Sequence, residues 1–248
     1  MKKINVFLGV LIVIPIISFS QITSGKITYK ASVNAEDYLN TLENDSETPD
    51  LIRNDRKRLV SEAKPINFFL IFDGNESIFI PENDVPTNRK LGLLMNWTGV
   101  ASRDSFNYYT DLTKKETYGQ SYWLDRINII YNDIEWELTQ ETKKIGDYTC
   151  YKAVAIIEDE QEYGMNYVKP VVAWYTPQIP ISHGIQQFSG LPGLILEMDM
   201  FIEYGAVHYV ATSIELNIEI DQKIENNKGK VINEQEYFEL LEELNSGR

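Results

Sequence analysis

The chain offers few side chains that could perform acid–base or nucleophilic chemistry. His183 and His208 are its only histidines, and a serine nucleophile usually depends on a neighbouring histidine as its base. Ser182 directly precedes His183 in a turn-like stretch, which makes these two residues the candidate pair of a hydrolase. No Gly-x-Ser-x-Gly motif, typical of exposed nucleophilic serines, accompanies the pair. We therefore predict no catalytic residues and retain a histidine- or carboxylate-dependent hydrolase as an alternative function.

Metal and cofactor motifs are missing from the sequence. It contains no His-x-x-x-His, Cys-x-x-Cys or EF-hand pattern and no phosphate-binding glycine loop. We predict no cofactor and no metal site, while an irregular calcium site among the 37 acidic residues stays open. The same abundance of acids prevents the nomination of a glycosidase carboxylate pair, because its separation is set in space. Trp97, Trp123 or Tyr175 could stack on a sugar, although most aromatic residues are expected in the core.

The helices and strands that would position a functional site begin after a predicted export signal. Two lysines precede an apolar run over residues 4–17, and small residues follow it, so we predict cleavage after Ser20. An uncleaved membrane anchor is the alternative, but the run is shorter than the about 20 residues that span a bilayer and contains Pro15. We expect residues 1–20 to be removed. Residues 21–248 then form one domain in the periplasm, in the cell envelope or outside the cell.

Charge and cysteine content narrow the possible partners. The net charge of −14 disfavours nucleic acids and anionic membrane surfaces. Cys150 is the only cysteine, so we predict neither an intramolecular disulfide nor a lipid anchor at the cleavage point. The expected partner is an unknown ligand or protein of the envelope. We expect no stable membrane anchor after signal cleavage, and the oligomeric state stays open.

Most of the chain alternates in the way that β-strands do. We predict a first strand over residues 22–33, with Ile27, Tyr29 and Ala31 on one face. Gly74 and its neighbours favour a hairpin between the next two strands. The further predicted strands cover residues 66–73, 77–80, 106–112, 116–124, 126–131, 135–139, 149–157, 168–175, 194–201 and 208–220. Because no helical pattern separates the strands from residue 66 onward, they indicate an antiparallel sheet rather than parallel βαβ units.

Helices are predicted at the two ends of this strand-rich region. Residues 35–64 have helical spacing, and Pro49 divides them into two helices or a helix and a loop. Asn233 and Glu236 form a capping-box pair that starts a last helix. The candidate buried positions are Tyr38, Leu39, Leu42, Leu51, Ile52, Leu59, Val60, Phe238, Leu241 and Leu244. A basic cluster over residues 53–58 could bind an anion, but its interleaved acids favour a solvated helix face with ion pairs.

A tight turn is predicted in the apolar stretch over residues 190–196. Pro192 fixes φ near the value of the second position of a type II turn, and Gly193 can supply the positive φ of the third position. The sequence therefore predicts a type II turn at these two residues. The aliphatic residues 194–196 do not alternate with polar ones, so we predict a strand that is covered on both faces.

Residues 190–195 resemble, letter for letter, the signature of the GLPGLI family of secreted bacterial proteins, whose biochemical role is not established. The likeness continues in order and spacing over residues 136–196. It departs at Ile185, where the family pattern has proline, and at Ser189, where some relatives have a cysteine that could pair with the one matching Cys150. The resemblance implies no known catalytic or binding residues. The matching positions are Gly190, Leu191, Pro192, Gly193, Leu194 and Ile195 of the signature, with Trp136, Lys144, Gly146, Cys150, Lys152, Ala153, Trp174 and Pro180.

The family-like stretch has the pattern of a structural scaffold. Gly146 closes a predicted hairpin that would place Trp136 and Cys150 on neighbouring strands. Trp174 would start a sheet edge, because Pro177 cannot continue the ladder of hydrogen bonds. We therefore interpret the signature as structural.

The predicted fold class is mainly β with α. One domain contains a curved antiparallel sheet or partial barrel, with helices near the N-terminal third and at the C-terminus. By analogy with lipoprotein carriers, we expect a helix-covered concave face that holds an apolar ligand or a peptide. The first functional hypothesis is therefore an exported, non-enzymatic binding or carrier protein. The alternatives are an accessory or structural protein of an outer-membrane assembly, acting through an exposed patch, and the hydrolase named above.

Overall fold

The chain folds around one large sheet. The computed structural model describes residues 22–44, 46, 48–82, 98–99, 106–121, 124, 127–155, 167–202, 205–226 and 228–246. The predicted signal peptide and the aromatic candidates Trp97 and Trp123 lie outside these residues. The strands are β1 (Ser24–Asn34), β2 (Ile66–Asp73), β3 (Glu76–Pro81), β4 (Phe106–Asp111), β5 (Glu116–Ser121), β6 (Ile127–Tyr131), β7 (Glu137–Ile145), β8 (Tyr148–Ala155), β9 (Tyr167–Thr176), β10 (Leu194–Ile202), β11 (Gly205–Leu216) and β12 (Lys230–Ile232).

The sheet is built from two meanders that meet at the first strand. Within the described residues the order is β12-β6-β5-β4-β3-β2-β1-β11-β10-β9-β8-β7. One meander runs from β1 to β6 and the other from β7 to β11, and β1 pairs with β11 to join them. All neighbouring strands in this order pair antiparallel except β12, which pairs with β6 in parallel. The predicted class, mainly β with α, is confirmed, and of the two predicted forms, a curved antiparallel sheet or a partial barrel, the described strands form an open curved sheet.

The buried face of the sheet is a continuous apolar layer. β1 turns Ile27, Tyr29 and Ala31 to this face, as predicted, and all three are fully buried. In the strand register, Leu70 of β2 lies between Ile27 of β1 and Phe79 of β3. Because side chains alternate along each strand, cross-strand rows of this kind repeat every two residues and together build the core.

Pro49 separates two helices, as predicted. They are α1 (Glu36–Asn44) and α2 (Asp50–Ser61), and Pro49 is the residue that precedes the first turn of α2. Proline suits this position because its ring fixes φ and the residue needs no intrahelical partner there. The basic cluster forms the ion pairs Arg53–Asp50, Lys57–Glu43, Arg58–Asp55 and Arg58–Glu62. The predicted solvated helix face with ion pairs is thus confirmed.

The two N-terminal helices share a small apolar cluster of their own. Its buried members are Ala35, Tyr38, Leu42 and Val60. Leu39 and Leu59 are partly buried against it. Leu51 and Ile52 were predicted to be buried, but their exposed fractions are 83% and 46%. That prediction is wrong because α2 contributes to the cluster near its C-terminal end, while its first turn extends into solvent.

The last helix, α3 (Glu234–Ser246), begins with the predicted capping box. The backbone N–H of Glu236 donates to Oδ1 of Asn233 at 2.8 Å, and the N–H of Asn233 donates to Oε2 of Glu236 at 2.9 Å. These reciprocal bonds satisfy donors that a helix start leaves without backbone partners. None of the helices in the described part of the chain combines the length and apolar content needed to cross a membrane.

The helix α3 docks on the sheet through Tyr237. Its ring packs edge-on against Phe106 at 5.8 Å, and its hydroxyl donates to Oγ of Ser121 at 2.9 Å. Phe238 is partly buried against the same core. Leu244 was predicted to be buried but is exposed. That prediction is wrong because the contact with the sheet is made near the beginning of the helix.

An irregular segment, rather than a helix, packs into the middle of the core. Residues 177–193, termed the core segment here, connect β9 to β10, and residues 183–188 within it are all buried. Its apolar side chains, among them Ile185 and Phe188, belong to the same cluster as the core of β1 and β2. Three prolines and three glycines prevent a regular helix or strand in this segment. The prediction of a helix-covered face is therefore wrong in this region.

Candidate functional site

The signature residues 190–195 close the core segment with a geometry that differs from the predicted turn. Gly190 has a φ of +92°, whereas Gly193 does not adopt a positive φ of this kind. The predicted type II turn is therefore wrong, because it requires a positive φ at Gly193. Glycine is needed there for space instead, since a Cβ would lie 2.2 Å from the carbonyl oxygen of Thr176. Leu191 is buried, so the signature acts as part of the core.

The strand that follows the signature is covered on both faces, as predicted. Leu194, Ile195 and Leu196 are each no more than 2% exposed. The pairing of β10 with β9 shifts register between Ile195 and Glu197, which places Leu196 in a bulge. The hydroxyl of Tyr29 donates to the carbonyl oxygen of Ile195 at 2.7 Å. Burial raises the pKa of Tyr29, so this phenol stays protonated and keeps the bond.

Two side-chain hydrogen bonds fasten the core segment to neighbouring elements. The side-chain amide of Gln186 donates to the hydroxyl of Tyr209 on β11 at 2.9 Å. Nε1 of Trp136 donates to the carbonyl oxygen of Ser189 at the same distance. Gln186 has a φ of +54°, a backbone conformation that residues with side chains seldom adopt. Its hydrogen bond therefore holds a strained turn inside the core.

His183 does not interact with Ser182 in the way a catalytic base would. Its Nε2 lies 3.1 Å from the carbonyl oxygen of Gly74, and its ring packs against Phe72 at 5.3 Å. A carbonyl oxygen only accepts, so Nε2 carries the proton, and Nδ1 has no hydrogen-bond partner in the described structure. Burial lowers the pKa of His183, which keeps the ring neutral. The contacts of His183 are those of a core residue.

His208 forms an interaction that the sequence reasoning missed. Its Nδ1 lies 2.7 Å from Oδ1 of Asp199, which faces it in the register of β10 and β11. The hydrogen bond to this carboxylate raises the pKa of His208. The signal that could have revealed the pair is the hairpin itself. Once Ile202 is paired with Gly205, the register of β10 and β11 brings the two side chains opposite each other.

Two predictions about the family-like positions need correction. Trp136 was predicted on a strand beside the strand of Cys150, but it lies one residue before β7. Trp174 was predicted at a sheet edge, yet β9 is an interior strand that pairs with both β8 and β10. The proline at position 177 ends β9 rather than marking a free edge. Gly146 does close the predicted hairpin, and Cys150 and Ala153 on β8 are fully buried.

Trp174 lies on the face of the sheet opposite that of the adjacent core residue Ala173. Two lysines near its ring each form an ion pair with a glutamate. Nζ of Lys143 lies 4.4 Å from the centre of the Trp174 ring and also pairs with Glu197. Lys152 is the register partner of Trp174 on β8, and it forms an ion pair with an exposed glutamate of β7 at 2.8 Å. Because Lys143 lies over the ring, Trp174 is poorly placed to stack on a ligand.

A surface concavity of about 380 Å³ adjoins the start of the core segment. Its lining residues are Thr149, Tyr151, Pro177 and Gln178. Tyr151 is 38% exposed, and its ring lies 6.1 Å from the ring of Tyr175 at an angle of 36°. Tyr175, the predicted candidate for sugar stacking, is itself buried. The two tyrosines are register partners on β8 and β9, so sequence alone could not tell which ring is exposed.

A second groove, of about 320 Å³, is acidic. Its lining residues are Asp73, Glu76, Ile220, Asp221, Gln222, Lys223 and Ile224. The hydroxyl of Tyr109 donates to Oε1 of Glu76 at its border, and burial together with this bond raises the pKa of Tyr109. Among the described residues, no cluster of three or more His, Cys, Asp or Glu side chains is arranged to hold a metal ion.

Comparison of the sequence with known families finds one stretch of similarity. Residues 136–170 and 158–197 match the model of a family described as "Protein of unknown function (Porph_ging)". The matched stretch contains the core segment and all four residues of the concavity at Tyr151. No curated protein matches the chain.

Solved structures with a similar fold include two that share little sequence with this chain. They carry the titles "Structure of PNGF-II in P21 space group" and "Structure of PNGF-II in C2 space group". Each is 15% identical, has a TM-score of 0.50 and covers 88% of this chain. This chain spans about a third of their length, 33% and 32%. The likeness concerns the β-rich fold alone.

Proposed function

We propose that this chain is an exported, non-enzymatic binding protein of the GLPGLI family, and that it binds its ligand in the concavity beside Tyr151. The observation that carries the proposal is the 38% exposed ring of Tyr151 in a concavity of about 380 Å³. Ligand sites are typically concave and combine aromatic surface with a few polar groups. The concavity has this composition and lies within the stretch that matches a family model.

The packing of the core segment favours this surface site over a site inside the sheet. An apolar ligand held between the sheet and its cover would have to displace Ile185 and Phe188, both fully buried. It would also break the hydrogen bond between Gln186 and Tyr209. Loss of a buried hydrogen bond costs about 1 kcal/mol. A ligand at Tyr151 needs none of these changes.

The contacts of the two histidines support a non-enzymatic role. His183 is buried against Phe72 and bonded to a backbone carbonyl. Nδ1 of His208 is engaged by Asp199. Within the described residues, no serine, threonine or cysteine side chain forms a hydrogen bond with either imidazole. Activation of a nucleophile by histidine requires such a bond.

The export and family parts of the proposal rest on the sequence. The charged start, the apolar run over residues 4–17 and the small residues near Ser20 support secretion. The letters of residues 190–195 support the GLPGLI assignment. Both are compatible with a mature chain that works in the cell envelope.

Site-specific crosslinking tests the proposed binding site. A photoreactive phenylalanine analogue would replace Tyr151 in the protein expressed in its own cell envelope. Leu244, an apolar residue on α3 that is more exposed than Tyr151 (51% against 38%), provides the control position. We expect ligand adducts at position 151 and none at position 244. Equal labelling at the two positions, or no adduct at position 151, would refute the proposed site.

Native mass spectrometry tests the interior alternative directly. The protein purified from envelopes without detergent exchange should carry no bound lipid if the core is filled by its own segment. A stoichiometric lipid that resists dilution would support an apolar ligand inside the sheet and would contradict the proposal.

A further inference from the structure

We infer that the ligand of the Tyr151 concavity is a neutral sugar of one or two pyranose rings. This inference rests on the proposed function and names the ligand class of the same site. Among the described residues the lining groups are a phenol ring, a proline ring, a hydroxyl and a carboxamide, and none is an acidic or basic side chain of Asp, Glu, Lys, Arg or His. In a chain with 24% charged residues, an uncharged concavity favours an uncharged ligand.

The exposed ring supplies the apolar contact that a sugar requires. A pyranose has C–H groups on its faces, which pack on aromatic rings, and hydroxyl groups around its edge. The ring of Tyr151 lies against buried Tyr175 at 6.1 Å, so its orientation is supported before a ligand arrives. Rigid aromatic groups of this kind lose little conformational entropy on binding. Pro177 adds a second apolar wall and carries no N–H that would need a partner.

The amide of Gln178 supplies oriented hydrogen-bond donors. Its Oε1 accepts the backbone N–H of Thr149 at 2.8 Å, which fixes the amide with its nitrogen pointing away from that bond. The carbonyl oxygen of Thr149 accepts a hydrogen bond from the hydroxyl of Thr176 at 3.0 Å. Within the described part of the chain, the NH₂ group of Gln178 and the hydroxyl of Thr149 form no hydrogen bond, so both can bond to sugar hydroxyls. A fixed amide beside an aromatic ring gives both the affinity and the orientation of a carbohydrate site.

The dimensions of the site favour a short sugar over a proline-rich peptide. Its volume of about 380 Å³ lies near the lower end of the range of about 300–1,000 Å³ for small-molecule sites. A polyproline helix is bound by grooves lined with several aromatic rings. Here the second ring, Tyr175, is only 6% exposed, so the described residues offer one ring to a ligand. A single exposed ring suits one pyranose face.

Saturation-transfer NMR and calorimetry test the inference on the mature full-length protein. The probes are neutral disaccharides of glucose, galactose, mannose and N-acetylglucosamine, together with a decamer of proline. We expect at least one disaccharide to bind and Tyr151→Ala to weaken it at least tenfold. Tyr151→Phe should bind within about twofold of the wild type, since the ring is kept. Leu138→Ala is the matched control, because Leu138 is an exposed apolar residue on the same hairpin and lies outside the concavity.

The outcomes separate the sugar inference from the proposed function. If polyproline binds in a Tyr151-dependent way and no disaccharide does, the binding site stands and the sugar inference is overturned. If neither probe binds and crosslinking at position 151 is also negative, both are overturned. A disaccharide that binds equally well to Tyr151→Ala lies elsewhere on the protein and likewise overturns the inference. Unfolding midpoints of the variants within about 2 °C of the wild type show that any loss is local, as expected for exposed side chains.

Discussion

Gly190 and Gly193 hold the signature in place by different physical means. A side chain at position 190 would meet open space but would need a φ of +92°, while one at position 193 would meet a carbonyl oxygen at 2.2 Å. We expect Gly193→Ala to lower the free energy of unfolding by about 1–3 kcal/mol, because the backbone must move to make room. Gly190→Ala should cost about 1–2 kcal/mol through its left-handed backbone. Urea denaturation measures both.

Pro192→Ala is the control for these two substitutions. Pro192 is exposed, and the structure gives it no turn geometry that only proline can supply. We expect a loss below about 1 kcal/mol, mainly from the greater freedom of the unfolded chain. If the loss at Pro192 equalled the loss at Gly193, the close contact with Thr176 would not be the reason for glycine at position 193.

The two histidines should affect stability in opposite directions as pH changes. Burial lowers the pKa of His183, so the unfolded chain binds its proton more readily and the folded protein loses stability as pH falls below about 6.5. The bond to Asp199 raises the pKa of His208. Its contribution is present below about 6.5 and is lost as pH rises through the raised pKa.

Unfolding free energies of His183→Gln and His208→Gln between pH 5 and 8 test this opposition. Relative to His183→Gln, the wild type should gain stability as pH rises from 5 to 7, by at most about 1.4 kcal/mol per pH unit. Relative to His208→Gln, it should lose stability from pH 6 to 8. If the two differences in unfolding free energy did not change with pH, or changed in the same direction, the buried environment of His183 and the carboxylate contact of His208 would be contradicted.

At the scale of elements, Tyr237 carries the docking of α3 on the sheet. Tyr237→Phe removes the hydrogen bond to Ser121 and should cost about 1 kcal/mol. Tyr237→Ala also removes the ring that packs on Phe106, so the total should reach about 3–5 kcal/mol. Leu244→Ala, on the exposed end of the same helix, should stay within about 0.5 kcal/mol of the wild type. Thermal unfolding of the three variants supplies the comparison, and a large effect at Leu244 would contradict this docking.

Elements with local signals could be predicted from the sequence, whereas their neighbours in space could not. The alternation in β1 and the capping box at Asn233 each depend on residues close together in the sequence, and the structure confirms both. The three-residue strand β12 was missed, because such a short strand has too few residues to show a pattern. The buried state of Leu51 was wrongly predicted because helical spacing identifies a face but not what lies against it.

The candidate site was harder still to predict, because it depends on which residues become neighbours in space. The concavity depends on which of Tyr151 and Tyr175 is exposed, and both follow the same strand alternation. Trp174 and Pro177 were placed at an edge because proline ends a ladder, but the sheet order makes β9 interior. The core segment was not predicted as the cover of the sheet. Its prolines and glycines signal loops, and sequence patterns do not distinguish a buried loop from an exposed one.

At the scale of the whole molecule, the fold joins distant parts of the chain into one core. β1 pairs with β2 on one side and with β11 on the other, so the two meanders cannot separate without exposing Ile27 and Tyr29. The core segment packs into this junction through Tyr209 of β11 and through the turn at Gly74. Loss of the segment would therefore expose the centre of the sheet. This arrangement supports the proposed ligand site on the surface over a site between the sheet and the core segment.

The central claim, that the core segment is a permanent part of the core and that the ligand binds beside it, is tested most directly by native-state hydrogen exchange. The amides of Phe188 and Gly190 donate to carbonyl oxygens within the segment, at 3.0 and 2.9 Å, and are suitable reporters. We predict that they exchange only through global unfolding, with the same opening free energy as the amides of β1 and β2. Opening of the segment several kcal/mol below global unfolding would contradict the claim and would indicate an interior that admits a ligand.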